Sequence, residues 1–116
     1  MEILKEFEGK VLENVTYNKE DEILTFYFTN GDVYEMFHEQ DCCESVYLED
    51  GYDDLMFLIG QEILQAYVTS NSGDDDGGTY TYTYYNISTF LNSATLRWYG
   101  SSNGYYSEAV DIQKVG

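Results

Sequence analysis

The only histidine and the only two cysteines of this 116-residue chain fall in one six-residue span, His38-Glu39-Gln40-Asp41-Cys42-Cys43, with Glu44 next. Zinc takes imidazole nitrogen and thiolate sulfur in tetrahedral geometry, so His38, Cys42 and Cys43 amount to three of the four donors of a structural site. Asp41 can add an oxygen ligand as the fourth, with Glu44 its competitor. The separated Cys-x-x-Cys or His-x-x-x-His pairs of common zinc modules are absent. A second reading therefore stays open, in which the cysteines are small buried apolar residues and His38 a hydrogen-bonded strand residue. A disulfide between Cys42 and Cys43 is not expected. Neighbouring Cα atoms across a trans peptide stand about 3.8 Å apart, below the usual disulfide window of about 4.4–6.8 Å.

The same residues admit catalysis on paper. Three protein ligands and an open position make a catalytic zinc, with Glu39 or Glu44 as base. Cys42 or Cys43 beside His38 makes a nucleophile pair. Both need a substrate pocket, and no phosphate loop, dinucleotide fingerprint or nucleophile elbow accompanies them. A binding protein with a structural zinc, rather than an enzyme, is the expectation.

The elements around this span read mainly as strands. Ile3, Leu4 and Phe7 have helical spacing in a segment that Gly9 ends. Val11 to Tyr17 reads as a strand with Val11, Val15 and Tyr17 on one face. Glu22 to Thr29 alternates clearly, with Leu24, Phe26 and Phe28 on one side, and Asn30-Gly31 is a strong hairpin signal. The returning arm, Asp32 to His38, puts Tyr34, Met36 and His38 on one face. Cys42 to Glu49 reads as a further strand, with Glu39-Gln40-Asp41 as the connection. If both cysteines face one metal, the chain there must bend, because adjacent strand residues point to opposite faces.

Asp53 to Ile59 reads as a short helix ended by Gly60, and Glu62 to Thr69 as a strand. Residues 70–78, Ser-Asn-Ser-Gly-Asp-Asp-Asp-Gly-Gly, read as an acidic loop without calcium-loop spacing. Thr79 to Leu91 is β-prone and low in charge, and is expected inside a sheet because an exposed edge of this kind aggregates. Ala94 to Tyr99 is a strand with Ala94, Leu96 and Trp98 inward. Gly100 to Gly104 is a tight connection, and Tyr105 to Ile112 closes the sheet. The sum is a strand-dominated α+β fold, one domain over residues 1–116, built of consecutive antiparallel hairpins with one or two short helices.

Charge sets the partner class. Against 22 acidic residues stand five basic ones, and between Glu20 and Leu96 there are 16 acids and no Lys or Arg. A formal charge of −17 disfavours nucleic acid and anionic membranes and favours a basic protein surface. Thirteen Tyr and six Phe supply material for a core and for contact area. No apolar run is long enough to span a bilayer, the start lacks a signal sequence, and the cysteines make no disulfide framework, so a reducing cytoplasm is expected.

Three stretches carry a resemblance: Asp32 to Asp50 with its His-x-Gln-Asp-Cys-Cys-Glu motif, Asp54 to Gly60, and Leu96 to Asp111. From about Gly9 to Ile112 the chain resembles a family of small uncharacterised phage and prophage proteins. It is also similar to the type II-A anti-CRISPR proteins, metal-containing α/β inhibitors of a Cas9 nuclease. That resemblance implies a zinc held by His38, Cys42 and Cys43, with Asp41, and a Cas9 partner in the cytoplasm of a bacterial host. The acidic loop at 70–78 departs from the family pattern. Cas9-type effectors hold nucleic acid in positively charged channels, toward which an acidic domain is steered. The chain can mimic nucleic acid or obstruct loading of target DNA, and obstruction is the favoured expectation. The alternatives are a regulatory or structural phage protein, or a zinc- or cysteine-dependent enzyme.

Overall fold

The structure, a computed structural model, describes residues 2–75, 77–104 and 106–116. It is strand-dominated. Sheet one has the order β1-β2-β3-β8 and sheet two the order β4-β7-β6-β5. Every strand pairing is antiparallel. The helices are two single turns, α1 (Glu2–Lys5) and α2 (Tyr52–Leu55), the latter running into a 3-10 turn, Met56–Leu58. They cap the sheets rather than form a layer, so the strand-dominated, antiparallel fold with few short helices is as expected and is described more closely as mostly β than as α+β.

In sheet one, β1 (Leu12–Asn18), β2 (Ile23–Phe28) and β3 (Val33–Phe37) follow each other as hairpins. Strand β2 buries Leu24, Phe26 and Phe28 as its alternation requires. On β1 the buried residues are Leu12 and Val15, three apart, because a register irregularity between Leu12 and Asn14 flips the pleat. Leu12 thus takes the inward place expected of Val11. The last strand, β8 (Asp111–Lys114), lies beside β3, with Ile112 opposite Met36. It is shorter and later than the Tyr105–Ile112 strand expected, and Tyr105 lies outside the described residues.

Sheet two holds β4 (Ser45–Asp50), β5 (Gln65–Asp75), β6 (Gly78–Ser88) and β7 (Ser93–Ser102). Its largest departure from expectation is at residues 70–78. Ser70 to Asp75 continue β5 and pair with β6 from Thr83 to Gly78, so the acidic loop shrinks to the hairpin tip, where Asp76 lies outside the described residues. A backbone alongside a strand as β-prone as Thr79-Tyr-Thr-Tyr-Thr-Tyr gains a ladder of hydrogen bonds whatever its own side chains are. The expected connection at Gly100–Gly104 is likewise part β7, which runs to Ser102. An 11-residue strand spans about 36 Å, which largely accounts for overall dimensions of 44 × 24 × 24 Å.

The inner faces of both sheets share one buried cluster. Trp98 on β7 donates its indole N–H to Met36 Sδ on β3 at 3.1 Å, joining the sheets through the core. Phe7, just after α1, closes the end of sheet one with its ring about 5 Å from those of Phe26, Phe28 and Tyr34. Tyr34 can be buried because its hydroxyl donates to Glu6 (2.8 Å) and accepts from Lys10 (2.7 Å). Gly51, at φ 107°, begins α2 hard against β7, where a Cβ would stand 2.1 Å from the Thr95 carbonyl oxygen. No helix among the described residues is long and apolar enough to cross a membrane.

Candidate functional site

Strand β3 ends at Phe37, and the next strand begins only at Ser45. Cys42, Cys43 and Glu44 are therefore loop rather than strand, as two neighbouring side chains facing one way require. His38 keeps the inward direction of Tyr34 and Met36, and its side chain is 5% exposed. Its Nδ1 lies 2.6 Å from the Ala109 carbonyl oxygen and its Nε2 2.8 Å from Glu44 Oε2.

Glu44 is the centre of this corner. Its fully buried carboxylate accepts the backbone N–H groups of Cys42 and Asp41, each at 2.9 Å, the His38 ring, and the Gln40 amide at 3.2 Å. The Cys42 N–H, then those of Asp41 and the His38 ring, outweigh burial and hold the carboxyl at about 2 against an ordinary 4.5. With Glu44 ionised, both His38 nitrogens face oxygens that have no proton to give. Both ring nitrogens are thus taken up by oxygen partners in this arrangement.

The cysteines are exposed, contrary to the buried apolar alternative. Their sulfurs are bonded to each other at 2.07 Å, with Cα atoms 3.7 Å apart. This corrects the expectation that no disulfide forms here. The pair lies outside the usual Cα window, in a loop where adjacent side chains, free of strand geometry, can turn to one side. Asp41 contributes its backbone N–H to Glu44 and lines, with His38, Glu39, Gln40, Ser107, Ala109 and Asp111, a groove of about 310 Å³. Among the described residues, no group of three or more His, Cys, Asp or Glu side chains is placed to hold a metal ion. As arranged here, the donors expected to hold zinc do not converge on one point.

The segment between β7 and β8 that supplies Ala109 is itself pinned by a carboxylate. Glu108 accepts the hydroxyls of Thr79 (2.7 Å), Thr81 (2.8 Å) and Ser102 (2.6 Å). Gly100 lets the segment lie flat, because a Cβ there would come within 2.9 Å of Glu108 Cβ.

A second candidate is the outer face of sheet two. Alternation sends Tyr85, Ile87, Leu96 and Trp98 into the core, so Tyr80, Tyr82, Tyr84 and Tyr99 must face outward. Register sets Tyr47 opposite Tyr99 and Tyr99 opposite Tyr82, a row of rings across three strands with centroids 5.6 and 5.1 Å apart. Tyr80 and Tyr84 flank Tyr82 along β6 at 6.0 and 6.3 Å. Arg97 Nε stands 2.7 Å from Glu49 Oε1 on the same face. Partial burial and the nearby Glu49 carboxylate push the Tyr82 hydroxyl above its ordinary range. Composition pointed to tyrosine contacts, but only the register reveals which five rings meet.

A family model described as a domain of unknown function (DUF7448) matches residues 5–112. No curated protein and no solved structure matches the chain.

Proposed function

We propose that this chain, which belongs to the DUF7448 family, is an acidic binding protein of the type II-A anti-CRISPR kind. It acts as one domain in a bacterial cytoplasm, docks on a Cas9-type nuclease and obstructs loading of target DNA. The observation that carries the reading is the tyrosine row Tyr47–Tyr99–Tyr82 on the open face of a chain with a formal charge of −17. Tyrosine gives rigid contact area at low entropic cost, and the surrounding charge steers the face toward a basic channel and away from free nucleic acid. The resemblance in the His38–Glu44 motif names the partner class.

The zinc belongs to the reduced protein. Two-electron reduction of the Cys42–Cys43 bond by an added dithiol, itself oxidised to a disulfide, frees two thiols that bind zinc as thiolates, and release of the His38 ring from Glu44 makes a nitrogen available, with Asp41 as the fourth ligand. The ion would be structural, fixing the corner.

The test is target-DNA cleavage by a type II-A Cas9, with the protein added before or after target DNA. Inhibition only when it is added first, weakened by Tyr82→Ser with Tyr99→Ser and by added salt, is the expected result. No inhibition by the unaltered protein across several Cas9 orthologues would overturn the partner. Full inhibition by the double variant would overturn the face.

A further inference from the structure

One end of the molecule carries large apolar side chains in water. Phe90 is 88% exposed and Leu91 73%, at the middle of the Thr89–Asn92 turn joining β6 to β7. Phe57 (66%) stands out from the 3-10 turn beside them, with Met56 and Leu64 exposed close by. Turn centres ordinarily take Gly, Asn, Asp or Ser, whose side chains suit the backbone and the solvent. Nothing in the fold asks for Phe and Leu there.

The two loops are clamped together by polar groups. Asn92 Nδ2 and Gln61 Nε2 both donate to the Phe57 carbonyl oxygen, at 3.2 and 2.9 Å. The Thr89 hydroxyl donates to Gln61 Oε1 and accepts the Asn92 N–H. Leu64 joins the same end through its backbone N–H, 2.9 Å from the Ser88 carbonyl oxygen. The tip is thus pre-formed, so little conformational freedom is lost when it is covered. Clustered exposed apolar residues of this size mark an interaction site.

We infer that this tip is a docking anchor for an apolar cleft, rimmed by Lys or Arg, on a protein of positive charge. Charge decides the occupant. The exposed acids Asp53, Asp54 and Glu62 flank the tip in sequence, and a second copy would bring another −17 against them. An anionic bilayer is repelled for the same reason. The inference rests on the function proposed above, in which the basic partner is a Cas9-type nuclease, and it places a second contact at the far end of β6 from Tyr80.

The test is direct binding of the unaltered protein and of a Phe57→Ser, Phe90→Ser, Leu91→Ser variant to the same purified Cas9, at low and high salt. Melting curves are recorded to confirm that the variant folds. The expected result is a loss of about 100-fold in affinity that persists at high salt, since apolar contact is not screened as charge is. A variant that binds as well as the parent overturns the anchor and leaves the nuclease reading standing. A parent that binds no Cas9 overturns both. Two further results would reassign the tip: a parent dimer that the variant lacks, in sedimentation, gives it to self-association. Parent binding to phosphatidylcholine–phosphatidylglycerol vesicles that the variant lacks gives it to a lipid surface.

Discussion

Replacing Phe7 by Ala tests whether the first seven residues belong to the core. The Phe7 ring is fully buried and lies about 5 Å from three other rings. Truncating a buried Phe costs about 3–5 kcal/mol, and three ring contacts of favourable geometry put Phe7 in the upper part of that range. A loss of about 4–5 kcal/mol is therefore expected, a large part of the roughly 5–15 kcal/mol that holds a domain folded. At about 4 °C per kcal/mol for this length, the melting temperature should fall by about 16–20 °C. Urea titration with an unchanged slope, alongside a thermal melt, measures it. The loosening should also spread to β5, because Gly9 donates to the Ile63 carbonyl and Glu8 accepts the Ala66 N–H. Faster amide exchange at Ile63 and Ala66 would register this. A loss under about 2 kcal/mol would refute the reasoning and make the segment a frayed end.

Three shorter predictions follow the site. Glu44 is ionised down to about 2 when folded, against an ordinary 4.5, so its contribution is complete above 4.5 and fades as pH falls toward 2. Glu44→Gln should be less stable than the parent near neutrality, with a shallower decline in melting temperature between pH 4.5 and 2; parallel curves would dismiss the carboxylate's role. A double-mutant cycle on Tyr82→Ala and Tyr99→Ala should give a coupling of about 0.5–1.5 kcal/mol by urea denaturation, and strict additivity would mean the rings do not meet. Protein reduced with a thiol should take up one zinc, by elemental analysis, and lose it in His38→Ala. Equal zinc in parent and variant would remove His38 from the ligand set.

What the sequence made legible is what neighbours in the chain decide. Leu24, Phe26 and Phe28 alternate, Asn30-Gly31 turns, and Tyr34 and Met36 return on the same face. The spacing of Leu96 and Trp98 gives β7 its inner side for the same reason. The Ser70–Asp75 segment was illegible because its strand character comes from the Thr- and Tyr-rich strand across from it, not from its own residues. Phe90 and Leu91 fell in the β-prone Thr79–Leu91 stretch expected inside a sheet, whereas β6 ends at Ser88 and the clamp through Asn92 and Gln61 holds the turn with both side chains outside. At the corner, the sequence drew attention to His38 and the cysteines, yet the group that orders it is Glu44. The second partner of the His38 ring, the Ala109 carbonyl, is brought in from 71 residues away, a relation that no local pattern contains.

That long reach has a consequence for the order in which the molecule can assemble. Strands β5, β6 and β7 meet by successive hairpins, whereas β3 must wait for β8, about two-thirds of the chain later. Closing so large a loop is slow compared with zipping a hairpin. The tyrosine face is complete once β4, β6 and β7 have paired, but the His38 ring has no Ala109 carbonyl to hold until the segment after β7 has folded back onto it. The corner therefore closes after the face, and a chain in which residue 109 has not yet docked leaves that side of the His38 ring open.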